Sequence, residues 1–320
     1  MKYKMLSSFL NGDLQIVEKE LEASIRAEDS LLQEASLHLL QAGGKRIRPV
    51  FVLLSAKFGE YDIRVIQKVA VALELIHMAS LVHDDVIDEA LTRRGAATIQ
   101  AKWDNRVAMY TGDYIFARSF ELITEIKKPV IHQILAKTIV EVCLGEIEQI
   151  RDKYIFDQSV RTYFKRIKRK TALLIATSCQ LGAIAAGVEE HLHKKLFRFG
   201  YYVGMSYQVT DDILDFVGTE KVLGKPAGGD LRQGNITLPV FFAMQDEQLK
   251  KQIESVHEGI EDEALQSIIE NIKSSGAIEK SIEISDRYLQ KAHEQLKGLP
   301  NIKARKSLTD IAKYIGKRKF

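Results

Sequence analysis

The sequence predicts an all-α fold, and three observations lead to that prediction. The chain of 320 residues contains only five prolines, and the long stretches between them place apolar residues three and four positions apart. β-branched alternation bounded by turn pairs is nearly absent, and so is any Gly-Pro linker. We therefore expect one helical domain over residues 1–320.

The composition bounds the class of protein. Hydrophobic residues make up 46% of the chain and the formal net charge is +3, which supports a large core and gives no reason to expect a nucleic-acid partner. The N-terminus has no signal-peptide pattern, and the longest apolar run, Thr171–Gly187, is too short and polar for a membrane span. We expect a cytoplasmic protein in which Cys143 and Cys179 are buried thiols.

The first break in the helical pattern of the chain is Gly43-Gly44-Lys45-Arg46-Ile47-Arg48-Pro49. Paired glycines are rare inside helices and predict a close approach of the backbone to another group. Three cations within four residues predict an anion site beside them.

A long apolar helix should follow and carry the first acidic motif, Asp84-Asp85-x-x-Asp88. Asp84 and Asp88 lie one helical turn apart on one face, and His77 lies two turns earlier on nearly the same face. Arg93 and Arg94 come next and resemble a bidentate diphosphate site, and we expect Gly95 to end the helix.

The second half of the chain repeats the acidic pattern. A basic run, Lys165–Lys170, leads into Thr171 and the apolar stretch, and Asp211-Asp212-x-x-Asp215 follows, with Gln208 one turn before Asp212. Residues 218–234, which include Lys225, are rich in Gly, Lys and Pro and are predicted to be a loop beside the site.

The last hundred residues predict further helices. Apolar side chains recur at helical spacing in two sets. They are Leu265, Ile268, Ile269 and Ile272, followed by Ile278, Ile282, Leu289, Ala292 and Leu296.

Six carboxylates in apolar sequence are costly to desolvate unless cations neutralise them. Two such clusters facing one cavity would offer the hard oxygen ligands that suit Mg²⁺, which is commonly shared between carboxylates and substrate phosphates. The pair of motifs therefore predicts an enzyme that holds a diphosphate through bridging metal ions.

The ordered set of motifs resembles the trans-polyprenyl diphosphate synthase family over essentially the whole chain. The matching segments are Gly43–Pro49, Leu81–Asp88, Arg93–Gly95, Lys170-Thr171, Tyr207–Asp215 and Gly224–Leu231. Trp103–Tyr114 and Tyr314–Phe320 are most similar to two-subunit members that make heptaprenyl diphosphate.

The resemblance implies an isoprenoid-synthase helical bundle with a central substrate cavity and two or three Mg²⁺ ions. It implies that isopentenyl diphosphate is bound by Lys45, Arg48, His77 and Arg94. It implies that the allylic diphosphate, directly or beside its metals, is bound by Arg93, Lys170, Thr171, Gln208 and Lys225. Direct metal ligands would be Asp84, Asp88 and Asp211, with Asp85, Asp212 and Asp215 as ligands or as supports.

The implied reaction elongates farnesyl diphosphate with isopentenyl diphosphate to all-trans-heptaprenyl diphosphate, for the menaquinone side chain. A small noncatalytic subunit would complete a heterodimer, and the product is expected to be delivered to the membrane. Two positions depart from the family pattern. Tyr207 stands where phenylalanine is usual, and Asn235 stands where many relatives carry lysine, which leaves a charge contact at 235 open.

Other interpretations remain open at this stage. A terpene cyclase would not need Lys45, Arg48 and Arg94 for a second substrate, and a noncatalytic subunit should have lost metal ligands. A helical interaction module gives no reason for the polar residues to converge. Hexaprenyl and octaprenyl products are alternatives to heptaprenyl.

Product length is expected to depend on the helix before the first acidic motif. Family members with short products carry aromatic residues four or five positions before it, where this chain has Ser80 and Ala79. Ile76 and Leu73 lie about two and three turns before the motif. Small side chains at 79 and 80 imply a deeper floor and a longer product.

Overall fold

The all-α prediction is confirmed. A computed structural model describes residues 8–218 and 227–316, and apart from one two-stranded hairpin their regular structure is helical. The chain has the all-α isoprenoid-synthase fold. A 3₁₀ turn, Ser8–Leu10, comes first. The helices within the described residues are α1 Asn11–Ser24, α2 Ser30–Gln41, α3 Ile47–Ala56, α4 Ile63–Ile87, α5 Ile99–Lys102, α6 Asn105–Thr124, α7 Pro129–Arg151, α8 Val160–Ile167, α9 Leu173–Ala185, α10 Glu190–Val217, α11 Gly229–Arg232, α12 Leu238–Ala243, α13 Glu247–Glu254, α14 Asp262–Ser274, α15 Ala277–Lys297 and α16 Lys303–Gly316.

The residues divide into two compact units. Unit A contains the described residues up to Leu135 together with Thr177–Phe197 and Pro300–Leu308. Unit B contains Ala136–Ala176, the described part of Arg198–Leu299, and the described residues from Thr309 onward. The single domain predicted over residues 1–320 stays a prediction.

Helix α4 is the central element of unit A. Its N-cap, Asp62, accepts a hydrogen bond from the Arg64 N–H at 3.0 Å, and α1, α3 and α6 pack against it. Among the described helices, only α4 is long and apolar enough to cross a membrane, and most of that stretch is buried inside the structure. Burial accounts for the apolar composition, since a core helix passes the same test.

Unit B has its own hydrophobic core. Tyr163 from α8, Val209 and Phe216 from α10, and apolar residues of α12 to α15 form one buried cluster. The two apolar sets at helical spacing lie on α14 and α15, so the sequence prediction for this region is confirmed. This core surrounds the stretch of α10 that carries the second acidic motif.

Two local predictions are wrong. Helix α4 ends at Ile87 rather than at Gly95, and a hairpin of β1 Thr92–Arg93 with β2 Ala96–Ala97 follows it. Arg94 and Gly95 form the hairpin turn with positive φ of 54° and 81°. Of the two cysteines, Cys179 is buried as predicted but Cys143, on α7, is exposed.

The predicted loop at residues 218–234 is partly helical. Residues 229–232 form the short helix α11, which begins after Gly228 in the left-handed region (φ 76°). Lys225 lies outside the described residues.

Candidate active site

The first acidic motif forms the C-terminal end of α4. The Asp88 N–H donates to the Asp84 carbonyl at 2.8 Å, which places these two half-buried residues one turn apart, as predicted. Asp85 is only 4% exposed, and both Arg93 Nε and Nη2 lie 2.6 Å from its Oδ1. Burial raises the pKa of Asp85, against the opposing effect of the Arg93 hydrogen bond and charge.

Arg93 therefore has a contact that the sequence pattern did not reveal. It was predicted to bind the allylic diphosphate, and it makes an ion pair with Asp85. The Gln100 side-chain amide also donates to the Asp85 carbonyl at 2.6 Å, so the middle of this motif is fixed from the hairpin and from α5.

Two of the predicted isopentenyl diphosphate residues, Arg48 and Arg94, lie near a third, His77. His77 is half-buried, and its pKa lies well below its usual value, first because the surrounding protein desolvates the ring and then because the charges of Arg48 and Arg94 act on it. Arg93 and Arg46 add to the same effect. Several guanidinium groups therefore act on one imidazole, and their charges disfavour its protonated form.

Of the paired glycines, Gly44 permits the close approach that was predicted from them. A Cβ on Gly44 would lie 2.8 Å from Arg94 Nη1 and 2.9 Å from Arg46 Nη1, so no side chain fits there without movement. Lys45 is exposed and Arg48 is half-buried at the start of α3. The loop and the hairpin thus bring cations from two chain segments to one part of unit A.

The second acidic motif lies on α10 and is fixed by a chain of hydrogen bonds. Tyr163 Oη donates to Asp212 Oδ2 at 2.7 Å, and Gln208 Nε2 donates to Asp212 Oδ1 at 2.8 Å. Thr171 Oγ1 in turn donates to Gln208 Oε1 at 2.6 Å. Three predicted site residues are thereby connected in unit B, and Tyr163 joins them as a residue that the sequence analysis missed.

Burial dominates the electrostatics of this motif. Asp212 is 3% exposed, and burial followed by the negative charge of Asp230 raises its pKa to about 8. The hydrogen bonds from Gln208 and Tyr163 oppose this shift without cancelling it. A carboxylate in this setting favours a nearby cation.

Asp215 is also buried, and its contacts connect the motif to the segment that follows. Its Oδ2 accepts a hydrogen bond from the Asp230 N–H at 3.0 Å, and its carbonyl accepts one from the Gly228 N–H at 2.7 Å. Asp230, at the start of α11, was not singled out in the sequence. Its carboxylate acts on Asp212, which makes it a further member of this acidic group.

Lys170 lies on a five-residue π-helical turn, Lys168–Ala172. Its Nζ donates to Glu146 Oε2 at 2.7 Å and to Gln149 Oε1 at 3.0 Å, both on α7. Gly145 allows this packing, because a Cβ there would lie 2.7 Å from Arg169 Cβ and 3.2 Å from the Lys170 nitrogen. Single π turns inside helices are frequent at functional sites.

The four predicted chain-length positions lie in or beside the core of unit A. Leu73, Ile76 and Ala79 are buried, whereas Ser80 is half-buried and donates its hydroxyl to the His77 carbonyl at 2.9 Å. These positions occupy the same helix as the first acidic motif.

The donor set fits a hard divalent cation. Within residues 8–218 and 227–316, no group of three His, Cys, Asp or Glu side chains is arranged to hold an ion on its own. Mg²⁺ does not need such a group, because it takes one or two carboxylates and completes its shell with waters and substrate phosphates. In unit A the half-buried carboxylates of Asp84 and Asp88 have that chemistry, and in unit B the half-buried carboxylate of Asp211 has it.

Comparisons with known proteins show which family and which solved structures this chain is similar to. A sequence profile of the polyprenyl synthetase family matches residues 29–273. The heptaprenyl diphosphate synthase component 2 of Bacillus subtilis (strain 168) is 64% identical over 320 residues, which cover 100% of this chain and 92% of that protein.

Two solved structures have nearly the same fold. The heptaprenyl diphosphate synthase of Staphylococcus aureus superposes with a TM-score of 0.94 at 42% identity, covering 97% of this chain and 99% of the other. A polyprenyl synthase of Caulobacter crescentus, complexed with calcium and isoprenyl diphosphate, superposes with a TM-score of 0.94 at 30% identity, covering 99% and 98%.

Proposed function

Because this chain belongs to the polyprenyl synthetase family and is a prenyl transferase, we propose that it elongates farnesyl diphosphate with isopentenyl diphosphate. The proposed product is all-trans-heptaprenyl diphosphate, for the menaquinone side chain. The observation that supports this product is the 64% identity with a heptaprenyl diphosphate synthase component 2 along the full chain.

We assign isopentenyl diphosphate to Lys45, Arg48, His77 and Arg94. The support for this assignment is the grouping of Arg48 and Arg94 near His77, whose ring N–H can donate a hydrogen bond to phosphate oxygen. Guanidinium groups bind phosphate oxygens in bidentate fashion and hold the second substrate in a fixed orientation.

We assign the allylic diphosphate mainly to residues around the second motif, with Arg93 beside the first motif as a further contact. Lys170, Thr171 and Gln208, together with Arg93 and Lys225, would contact this diphosphate or support its metal ligands. The supporting observation is the chain of hydrogen bonds from Thr171 through Gln208 to Asp212.

The acidic residues would hold Mg²⁺, with Asp84, Asp88 and Asp211 as direct ligands and Asp85, Asp212 and Asp215 as ligands or supports. Bound Mg²⁺ would stabilise the negative charge that develops on the leaving diphosphate. Calcium in the Caulobacter crescentus enzyme supports a divalent cation in this family.

The residues of the chain then determine the course of the reaction. Lys170 stabilises the departing diphosphate as the allylic carbon–oxygen bond breaks. Apolar walls exclude water from the resulting carbocation, and the double bond of isopentenyl diphosphate attacks it to form the new carbon–carbon bond. Loss of one proton to the released diphosphate restores a double bond, so no protein nucleophile takes part.

We further propose a cytoplasmic heterodimer with a small subunit that lacks Asp-rich motifs. The designation of the Bacillus subtilis relative as component 2 supports a second component. The long apolar product would then be passed to the membrane.

Incubating the purified chain with radiolabelled isopentenyl diphosphate and farnesyl diphosphate, with and without the candidate subunit, tests the proposal. We expect Mg²⁺-dependent incorporation of label and a C35 alcohol after hydrolysis. Conversion of farnesyl diphosphate in the absence of isopentenyl diphosphate would instead establish a cyclase, and a uniform C30 or C40 product would correct the length.

A further inference from the structure

The segment Lys45–Arg48 leads into α3 and contains three cations, of which the middle one, Arg46, makes ion pairs with two carboxylates. Arg46 Nε donates to Glu18 Oε1 at 2.6 Å, and its Nη2 lies 3.3 Å from Glu18 Oε2. Its Nη1 lies 3.3 Å from Glu74 Oε1. One guanidinium therefore connects the loop to α1 and to α4 at once.

In this ion-pair cluster of Arg46, Glu18 and Glu74, Arg46 and Glu74 are shielded from water and Glu18 is partly exposed. The Arg46 side chain is 12% exposed, that of Glu74 is 3% exposed, and that of Glu18 is 45% exposed. Glu74 Oε2 is buried and accepts no hydrogen bond from the part of the chain that the structure describes. A carboxylate in that position depends on the charge of Arg46, because an unpaired buried charge is strongly unfavourable.

The backbone at Arg46 is unusual as well. Its φ of 48° lies in the left-handed region, which residues other than glycine seldom adopt. Arg46 is also the N-cap of α3, without a side-chain cap hydrogen bond. The side-chain contacts to Glu18 and Glu74 therefore stabilise a backbone conformation that the residue would not otherwise prefer.

We infer that Arg46 is a positioning residue for the isopentenyl diphosphate site, with Glu18 and Glu74 as its anchors. It fixes the loop that precedes α3 and the first turn of α3, so that Lys45 and Arg48 are held ready for the diphosphate. This inference rests on the proposed function, which assigns that substrate to Lys45 and Arg48.

The alternative is that Arg46 contacts the diphosphate directly, and the variant Glu18→Gln separates the two. Removing a negative charge near an anion site should tighten anion binding if Arg46 binds the substrate. If Arg46 is a positioning residue, the same change loosens the loop and weakens binding. The two roles thus predict opposite changes in the affinity for isopentenyl diphosphate when Glu18 is replaced by Gln.

The experiment measures the Michaelis constants for both substrates and the calorimetric affinity for isopentenyl diphosphate. For Glu18→Gln we expect the isopentenyl diphosphate constants to rise roughly three- to tenfold, with the allylic constant unchanged within about twofold. An unchanged or tighter affinity for isopentenyl diphosphate would overturn the inference.

Arg46→Met alone leaves Glu74 as a buried unpaired charge and risks unfolding the protein. The double variant Arg46→Met/Glu74→Gln removes both charges and keeps the test valid. We expect it to fold with a near-normal melting temperature and to raise the isopentenyl diphosphate constants between about tenfold and a hundredfold. A folded double variant with normal constants would refute the positioning role.

Two controls complete the design. Arg64→Met breaks an exposed ion pair with Asp62 elsewhere in unit A and should change neither constant. Lys45→Ala tests the substrate assignment itself. If Lys45→Ala leaves isopentenyl diphosphate binding intact, the proposed function is wrong at this site. If Lys45→Ala weakens that binding while Glu18→Gln leaves it normal, only the role of Arg46 is refuted.

Discussion

In both acidic motifs the protein hydrogen-bonds the second aspartate through its own side chains. Arg93 pairs with Asp85, and Tyr163 and Gln208 occupy the two oxygens of Asp212. These two carboxylates are buried, whereas Asp84 and Asp211 are only half-buried. The second aspartates are therefore suited to orient the motif, and the first aspartates to bind a metal ion.

Replacing a proposed direct ligand should abolish the chemistry and leave the fold. We expect Asp84→Ala or Asp211→Ala to lower turnover by roughly 10³-fold or more, because stabilisation of the leaving diphosphate is lost. Circular dichroism should show unchanged helicity. The exposed Asp157→Ala serves as a control, and near-normal turnover of either motif variant at saturating Mg²⁺ would rule out its role as a ligand.

Tyr163→Phe should weaken metal binding without unfolding the protein. The lost hydroxyl leaves Asp212 Oδ2 without its buried donor, which costs about 1–3 kcal/mol. We expect the Mg²⁺ concentration for half-maximal activity to rise several-fold and Mn²⁺ binding, followed by electron paramagnetic resonance with inorganic diphosphate present, to weaken in parallel. Tyr201→Phe removes a half-buried hydroxyl of the same unit and should have no effect on either.

At the scale of single residues, the sequence predicted the candidate residues of the site better than it predicted the hydrogen bonds and ion pairs between them. The spacing of His77, Asp84 and Asp88 follows from helix geometry alone, so it could be foreseen. The bond between Tyr163 and Asp212 joins residues 49 positions apart, and no local pattern encodes it. In the sequence Arg93 resembled a phosphate ligand without a protein partner. Its contact with Asp85 could not be predicted, because it forms only where the hairpin reverses the direction of the chain.

The secondary-structure elements show why the chain reversal between Asp85 and Arg93 was not predicted. The sequence analysis let the helix run to Gly95, yet a continuous helix would place Asp85 and Arg93 about 12 Å apart along its axis. The hairpin after α4 instead brings them into contact. The π turn at Lys168–Ala172 was likewise absent from the prediction, because its apolar and basic residues fit an ordinary helix equally well.

Gly145→Ala tests the importance of this π turn. The added Cβ would meet the backbone nitrogen of Lys170 and the side chain of Arg169, so the turn must shift. We expect the Michaelis constant for the allylic diphosphate to rise about tenfold while that for isopentenyl diphosphate stays constant. Gly12→Ala, on α1 with nothing within 4 Å of the new Cβ, should be neutral in both constants and is the matched control. Equal behaviour of the two glycine variants would refute the role of Gly145.

Helix α4 is expected to determine product length. Ala79→Tyr places a ring in a fully buried position that cannot be repacked at low cost, and we expect the product to shorten to roughly C15–C20. Ile76→Gly should lengthen it. Ala70→Phe, equally buried but on the opposite side of α4, should leave the length unchanged. Chromatography of the hydrolysed products decides the matter, and a C35 product from both Ala79→Tyr and Ile76→Gly would contradict the assignment.

At the scale of the whole molecule, exposed apolar side chains on α7 indicate a surface for assembly. Val140, Leu144 and Ile147 lie along one side of α7 in unit B and are exposed, although apolar side chains at helical spacing normally face a core. Such a stripe is typical of a surface covered in an assembly. It is consistent with a protein that works together with a second component.

We expect the chain alone to be nearly inactive as a long-chain synthase and to gain activity when the small subunit is added. Size-exclusion chromatography should show a complex, and Val140→Asp together with Ile147→Asp should prevent subunit-dependent activation if α7 lies in the interface. Robust heptaprenyl formation by the isolated chain would contradict the need for a partner.

The placement of the first acidic motif on a 25-residue helix has a consequence for how this enzyme can change over generations. Ala79 precedes Asp84 by about 7.5 Å along the axis and Leu73 precedes it by about 16.5 Å, at the fixed rise of a helix. Side-chain substitutions along this helix can alter product length while the carboxylates stay where they are. An insertion or deletion between positions 80 and 83 would instead rotate the two sets by about 100° relative to one another. Divergence in product size is therefore expected to proceed by replacement of single side chains, and loss of one residue from this segment should eliminate catalysis and length control in a single step.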